Sequence, residues 1–178
     1  MANSSYVSHI GPLDSSTRAS PTLAFFEKYA AQVDTMDLSA PFHTWYAHSA
    51  QFCNADGVVY DGGDAIWTWM HALFGQFEKV QHDIKIIRLL SSVSKDESKT
   101  EKSGDLVLSD CVTTFWMKPP LNGDEITVPR MLSFLIGEAE VKGQGTDGLQ
   151  ILEAKAWWDS NVLVKEVLRR KNAKMDEQ

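Results

Sequence analysis

Between residues 21 and 33 large apolar side chains recur at three- and four-residue spacing: Leu23, Phe26, Tyr29, Ala30 and Val33. That is the period of a helix with one buried face. Ser20 ahead of Pro21 supplies a cap and a first-turn proline, so the helix begins there. Ser39-Ala40-Pro41 restarts a second, shorter helix carrying Phe42, Trp45 and Tyr46. A third helix, over 64–75, repeats the spacing in Ile66, Met70 and Phe74, with Asp64 placed to cap it and Gly75 to stop it. Ahead of this helix, two short runs at 50–54 and 58–60 flank the turn Ala55-Asp56-Gly57 and predict a small hairpin.

Beyond Gly75 the period shortens from helix to strand. "VQHDIKIIRLLSSV" alternates and is rich in β-branched residues. "SKDESKTEKSGD" is wholly polar and predicts an exposed loop over 94–105. "LVLSDCVTTFWMK" is a long strand, and Asn122-Gly123 in the following "PPLNGDE" is a strong hairpin signal. "ITVPRMLSFLIGEAE" is the next strand, with Pro129 implying an edge or a bulge. After the turn "GQGTDG", "LQILEAKAWWDSNVLV" is the last. Helices ahead of an antiparallel sheet predict an α+β domain, a curved sheet closed into a cone by three N-terminal helices. The domain is expected over 21–165. A Ser-rich flexible arm precedes it at 1–20, and a charged tail at 166–178 follows, with room for a final turn of helix.

The chain has 178 residues, 43% of them hydrophobic, enough for one sizeable core. Its net charge of −7, from 17 basic and 24 acidic residues, argues against a nucleic-acid partner. No apolar run is long enough to span a membrane. The N-terminus lacks a basic start and an apolar centre, so no secretory signal is expected and the protein reads as cytoplasmic. Cys53 and Cys111 read as reduced core thiols, and no spacing of ligands predicts a metal. There is no phosphate loop, dinucleotide fingerprint or nucleophile elbow, so no cofactor is implied.

The amphipathic first helix, the segment "FCNADGVVYDGGDAIWTWMHALFGQF", the strand opening at "VQHDI" and the last strand "ILEAKAWWDSNVL" resemble the nuclear-transport-factor-2-like superfamily, in its SnoaL-like group. The resemblance covers about 21–165. It implies a cone with one apolar cavity, and an isomerase, cyclase or dehydratase of polyketide or terpenoid intermediates that needs no cofactor. Other members only bind or dimerise, and a nuclear-transport-like adaptor is a third, weaker expectation. Within the superfamily, scytalone dehydratase has a similar Gln-His-apolar strand, which matches Gln81-His82. Its partner histidine falls near Cys111 and its helix carboxylate near Ala31, so only His82 carries over.

His82 shares strand parity with Ile84 and Ile86, and an inward imidazole can move a proton near neutral pH. Asp159, at the end of the last strand, would be a proton donor if aromatic burial raised its pKa, and otherwise caps the turn at Ser160-Asn161. Tyr46 could donate to a carbonyl oxygen, and Arg130 clamp a carboxylate or enolate unless it points to solvent. Trp67, His71, Phe74, Cys111, Phe115, Phe134 and Trp157 complete the expected substrate wall. Asp56, Asp61 and Asp64 read as turn and capping residues. With no second acid–base partner in view, shape-directed pericyclic ring closure is weighed beside proton transfer. The expected partners are a small hydrophobic substrate and a second copy of the chain covering the apolar outer sheet face.

Overall fold

The computed structural model describes residues 6–94 and 102–176. In chain order it contains β1 (Tyr6–Ile10), α1 (Pro21–Thr35), β2 (Tyr46–Cys53), β3 (Val59–Asp61), α2 (Gly63–Phe74), β4 (Phe77–Ser94), β5 (Ser103–Met117), β6 (Ile126–Glu138), β7 (Leu149–Trp158) and α3 (Ser160–Asp176). The strands form one sheet in the order β1-β4-β5-β6-β7-β2-β3. Every pair is antiparallel except β2 with β7. The sheet is mixed and not closed into a barrel; with its three helices it makes the α+β cone.

Bulges interrupt the β4–β5 ladder at Phe77/Lys79, Ile84/Ile86 and Leu90/Val93, and β6–β7 at Leu135/Ile136. Each bends its strand, and together they curl the sheet around α1. The bulge at Lys85 also resets strand parity. Val80, His82 and Ile84 share the inner face, but beyond the bulge Ile87 and Leu89 are the buried pair, not Ile86. Phe25, Leu23, Phe77, Ile66, Val107 and Ile151 are among the most deeply buried core residues.

α1 begins as expected: the Ser20 side chain accepts from the Leu23 N–H at 3.4 Å, and Pro21 occupies the first turn. Elsewhere tertiary pairing overrides local pattern. The expected second helix is a single 3-10 turn, Phe42–Thr44, and Tyr46 opens a strand paired with Ile151. The cap of α2 is Gly62, at φ 98°, not Asp64, which sits in the first turn against the positive helix end. Gly63 follows because there is no room for more: a Cβ there would lie 2.5 Å from the Ala47 carbonyl oxygen.

Both ends of the chain carry more structure than composition suggested. Tyr6–Ile10 pairs with β4 as an edge strand. The charged tail is the third helix, α3, docked by buried Leu163 and Arg170. Arg170 donates to the carbonyls of Leu121 at 2.9 Å and Asp124 at 2.6 Å, pinning the 118–125 connection, which is longer than the two-residue hairpin that Asn122-Gly123 suggested. Pro129 lies in a strand interior to the sheet. β7 ends opposite Arg130, however, so residues 126–129 have one strand neighbour and the proline stands at a local edge. The charged loop expected at 94–105 falls largely on 95–101, outside the described residues.

Candidate active site

α1 lies across the concave face of β4 and β6, and the space between them is a largely apolar cavity. It is open on one side, and the space within it for water-sized molecules is about 80 Å³. Phe26 and Val33 of α1, Met70 and Phe74 of α2, and Leu132 and Phe134 of β6 supply much of the wall.

His82 enters this wall from β4. Its Nδ1 lies 2.6 Å from Oδ1 of Asp34, near the C-terminal end of α1. The same carboxylate accepts from the His82 backbone N–H, at 3.1 and 3.2 Å. A carboxylate on Nδ1 holds the proton there and leaves Nε2 as the free basic nitrogen. Among the described residues Nε2 has no hydrogen-bond partner, while the ring is only 11% exposed. Asp34, at 31%, keeps contact with water.

A second polar pair stands on the same cavity wall. The hydroxyls of Tyr29, on α1, and Tyr46, at the start of β2, hydrogen-bond to each other, with Met70 Sδ at 3.9 and 3.7 Å. Burial pushes the Tyr29 phenol up to about 12, although the Tyr46 hydrogen bond and Arg130 pull it down. Burial, followed by the neighbouring Tyr29, also pushes Tyr46 well above 10. Both are neutral at physiological pH and so remain donors. One phenol donates to the other, and the second proton has only the Met70 thioether sulfur, a weak acceptor, in reach.

β6 brings Arg130, and β5 brings Cys111 opposite it in register. Both line the cavity. Burial lowers the Arg130 pKa and raises that of the Cys111 thiol. Cys53 is half-buried, and neither thiol is in a disulfide.

Six of the residues expected at the site therefore meet: His82, Tyr46, Phe74, Cys111, Arg130 and Phe134. Five stand outside the lining. Trp67 is buried behind it, its indole N–H shared between the carbonyls of Leu38 at 3.2 Å and Ala40 at 3.0 Å. His71 is on the exposed side of α2, edge-on to Trp67. Phe115 packs on Phe77, with ring centroids 4.9 Å apart. Trp157 is 45% exposed on the outer sheet face, since Trp158 takes the inner one. Asp159 is exposed and caps α3 by accepting from the Asn161 N–H at 3.0 Å.

Sequence reasoning missed Asp34, Tyr29 and Ser109. Tyr29 was counted as core because it sits on the apolar stripe of α1. Asp34 continues that stripe, four residues after Ala30 and eight after Phe26, and a charge at that position was the available signal. Among the described residues no three His, Cys, Asp or Glu side chains converge on a metal-sized site. No helix among them is long and apolar enough to cross a membrane.

No protein-family model matches the chain. No curated protein matches it in sequence either. Solved structures do. The Kfla4162 protein from Kribbella flavida superposes with a TM-score of 0.59 at 14% identity, covering 84% of this chain and 97% of that one. A protein described as a SnoaL-like polyketide cyclase, from Shewanella denitrificans, gives 0.56 at 10% identity, covering 82% and 96%. A protein with a ketosteroid isomerase-like fold, from Catenulispora acidiphila, gives 0.52 at 16%, covering 80% and 91%. The chain has the nuclear-transport-factor-2-like fold. At these identities the likeness concerns the fold alone. In this version of the nuclear-transport-factor-2-like fold, the cone interior holds two hydrogen-bonded polar pairs and an arginine among aromatic walls.

Proposed function

We propose that this protein is a cofactor-independent enzyme that moves a proton on a hydrophobic polyketide- or terpenoid-type intermediate, in an isomerisation, dehydration or cyclisation. The observation that carries this reading is the Asp34–His82 pair on the wall of an apolar cavity. Nε2 takes a proton from a carbon beside a carbonyl, and the electron pair moves to the carbonyl oxygen. The Tyr29–Tyr46 pair donates to that oxyanion, and the imidazolium, held by Asp34, returns the proton elsewhere on the substrate. Neighbours described as a polyketide cyclase and as ketosteroid isomerase-like support a reading of this class.

The pairing of His82 with Asp34 favours proton transfer over purely shape-directed ring closure, which drew its appeal from a histidine without a partner. A binding-only module of the same fold predicts no chemistry at all. The test is hydrogen–deuterium exchange at the α-carbon of hydrophobic cyclic ketones such as 1-tetralone, followed by NMR. The protein should accelerate exchange over buffer. His82→Ala should lower the acceleration about 100-fold, and Asp34→Asn about tenfold, without weakening ketone binding. Exchange no faster than buffer, or equal in His82→Ala, would overturn the reading.

A further inference from the structure

The chain has five arginines. Four lie on the outside or under α3, and each has a carboxylate: Arg18 with Glu27, Arg88 with Asp110, and Arg169 and Arg170 with Glu166. The fifth, Arg130, lies in the cavity wall, where an unpaired charge is least favourable, and among the described residues no carboxylate pairs with it. Its Nε is buried without an acceptor. Its guanidinium rests over the Trp158 ring, 5.3 Å from the centroid, a contact that favours the cation but takes none of its N–H groups.

Two more donors nearby are in the same position. Ser109 lines the cavity two residues from Cys111 on β5, and its buried Oγ has no partner. The Trp158 indole N–H, on the strand beside Arg130, is also buried and unpartnered. Buried donors in folded proteins are nearly always satisfied. Two of them on the cavity wall, one carrying full charge, with a third on the strand beside Arg130, describe a site that lacks its acceptor.

We propose that the substrate carries a delocalised oxyanion, a carboxylate or the ionised enol of a vinylogous acid, held by Arg130 with Ser109 as a second donor. The planar guanidinium suits such an anion because it presents paired N–H groups to paired oxygens. The substrate is then an apolar skeleton with an acidic oxygen function at one end. That end lies against β5 and β6, and the rest lies among the aromatic walls toward α2. This rests on the cavity being the substrate site, but it is read by binding alone and so stands or falls apart from turnover.

The experiment is calorimetric titration of the full chain with two matched pairs: 2-naphthoate against 2-naphthamide, and 2-hydroxy-1,4-naphthoquinone against its 2-methoxy ether. At neutral pH at least one anion should bind about tenfold tighter than its neutral partner, as a charge-assisted bidentate contact requires. Which anion shows the preference separates carboxylate from enol. Arg130→Met should erase the preference and leave the neutral probe's affinity unchanged; His82→Ala should keep it. Equal binding within both pairs by the wild-type protein, no binding of either anion, or a preference that survives Arg130→Met would each overturn the proposal. The wild-type comparison decides it even if Arg130→Met fails to fold.

Discussion

Tyr29 and Asp34 lie five positions apart on α1, and each serves the cavity through a different partner. Asp34 reaches the pocket only by way of His82, whereas Tyr29 shares its wall with Tyr46. The tyrosine pair has a consequence for pH. In the unfolded chain a phenol ionises near pH 10, but folded Tyr29 holds its proton to about 12. Between those values the unfolded state binds fewer protons, so stability falls as pH rises. The slope is up to about 1.4 kcal/mol per pH unit for Tyr29 alone. Urea melts from pH 9 to 11.5 should show the loss, and Tyr29→Phe with Tyr46→Phe should flatten it; an unchanged slope in the double variant would remove the pair from the account. At this scale the sequence was only half legible. Parity with Ile84 puts His82 on the inner face because both lie on the near side of the β4 bulge, whereas parity with Ile86 does not survive it. Asp34 went unread because the comparison with scytalone dehydratase points to Ala31, a helical turn away.

Among the elements, the junction of β2 and α2 is the tightest fit. Replacing a helical glycine by alanine usually stabilises, by roughly 0.5–1 kcal/mol. At Gly63 the sign should reverse, because the new methyl would press on the Ala47 carbonyl of β2 and the Phe42 ring. Gly63→Ala should cost on the order of 1–3 kcal/mol, visible as a lower urea midpoint; a midpoint at or above wild type would show that β2 yields freely. Elements with strong periodicity were readable in advance: α1, α2 and the four long strands. β1 was not, since five exposed or half-exposed residues become a strand only by pairing with β4. α3 was not, since its apolar positions are sparse and it gains its anchorage from Arg170 reaching the 118–125 connection. The Tyr46 segment misled in the other direction. Its aromatic residues suit a helix face as well as a strand, and the parallel partner that decides between them lies about a hundred residues away.

At the scale of the whole molecule, the curved sheet has two faces with separate tasks. The inner face holds the cavity. The outer face sets Trp157 beside Met131 in register, 45% and 39% exposed, on the same side as Trp116 beneath Lys79. A second copy covering this face should appear as twice the chain mass in light scattering, with Trp157→Ser plus Met131→Ser returning a single mass; a wild-type protein of single mass would leave the face as ordinary surface. The extra residue in β4 matters here too. That strand is 18 residues long, and without its interruption a one-residue slip anywhere along it would turn the imidazole out to water. With it, and with the irregularities at Phe77/Lys79 and Leu90/Val93, the strand is a series of short registers and not one long ruler. A slip beyond Lys85 can be taken up at that bulge, so the inward parity of Val80, His82 and Ile84 is set within their own short segment.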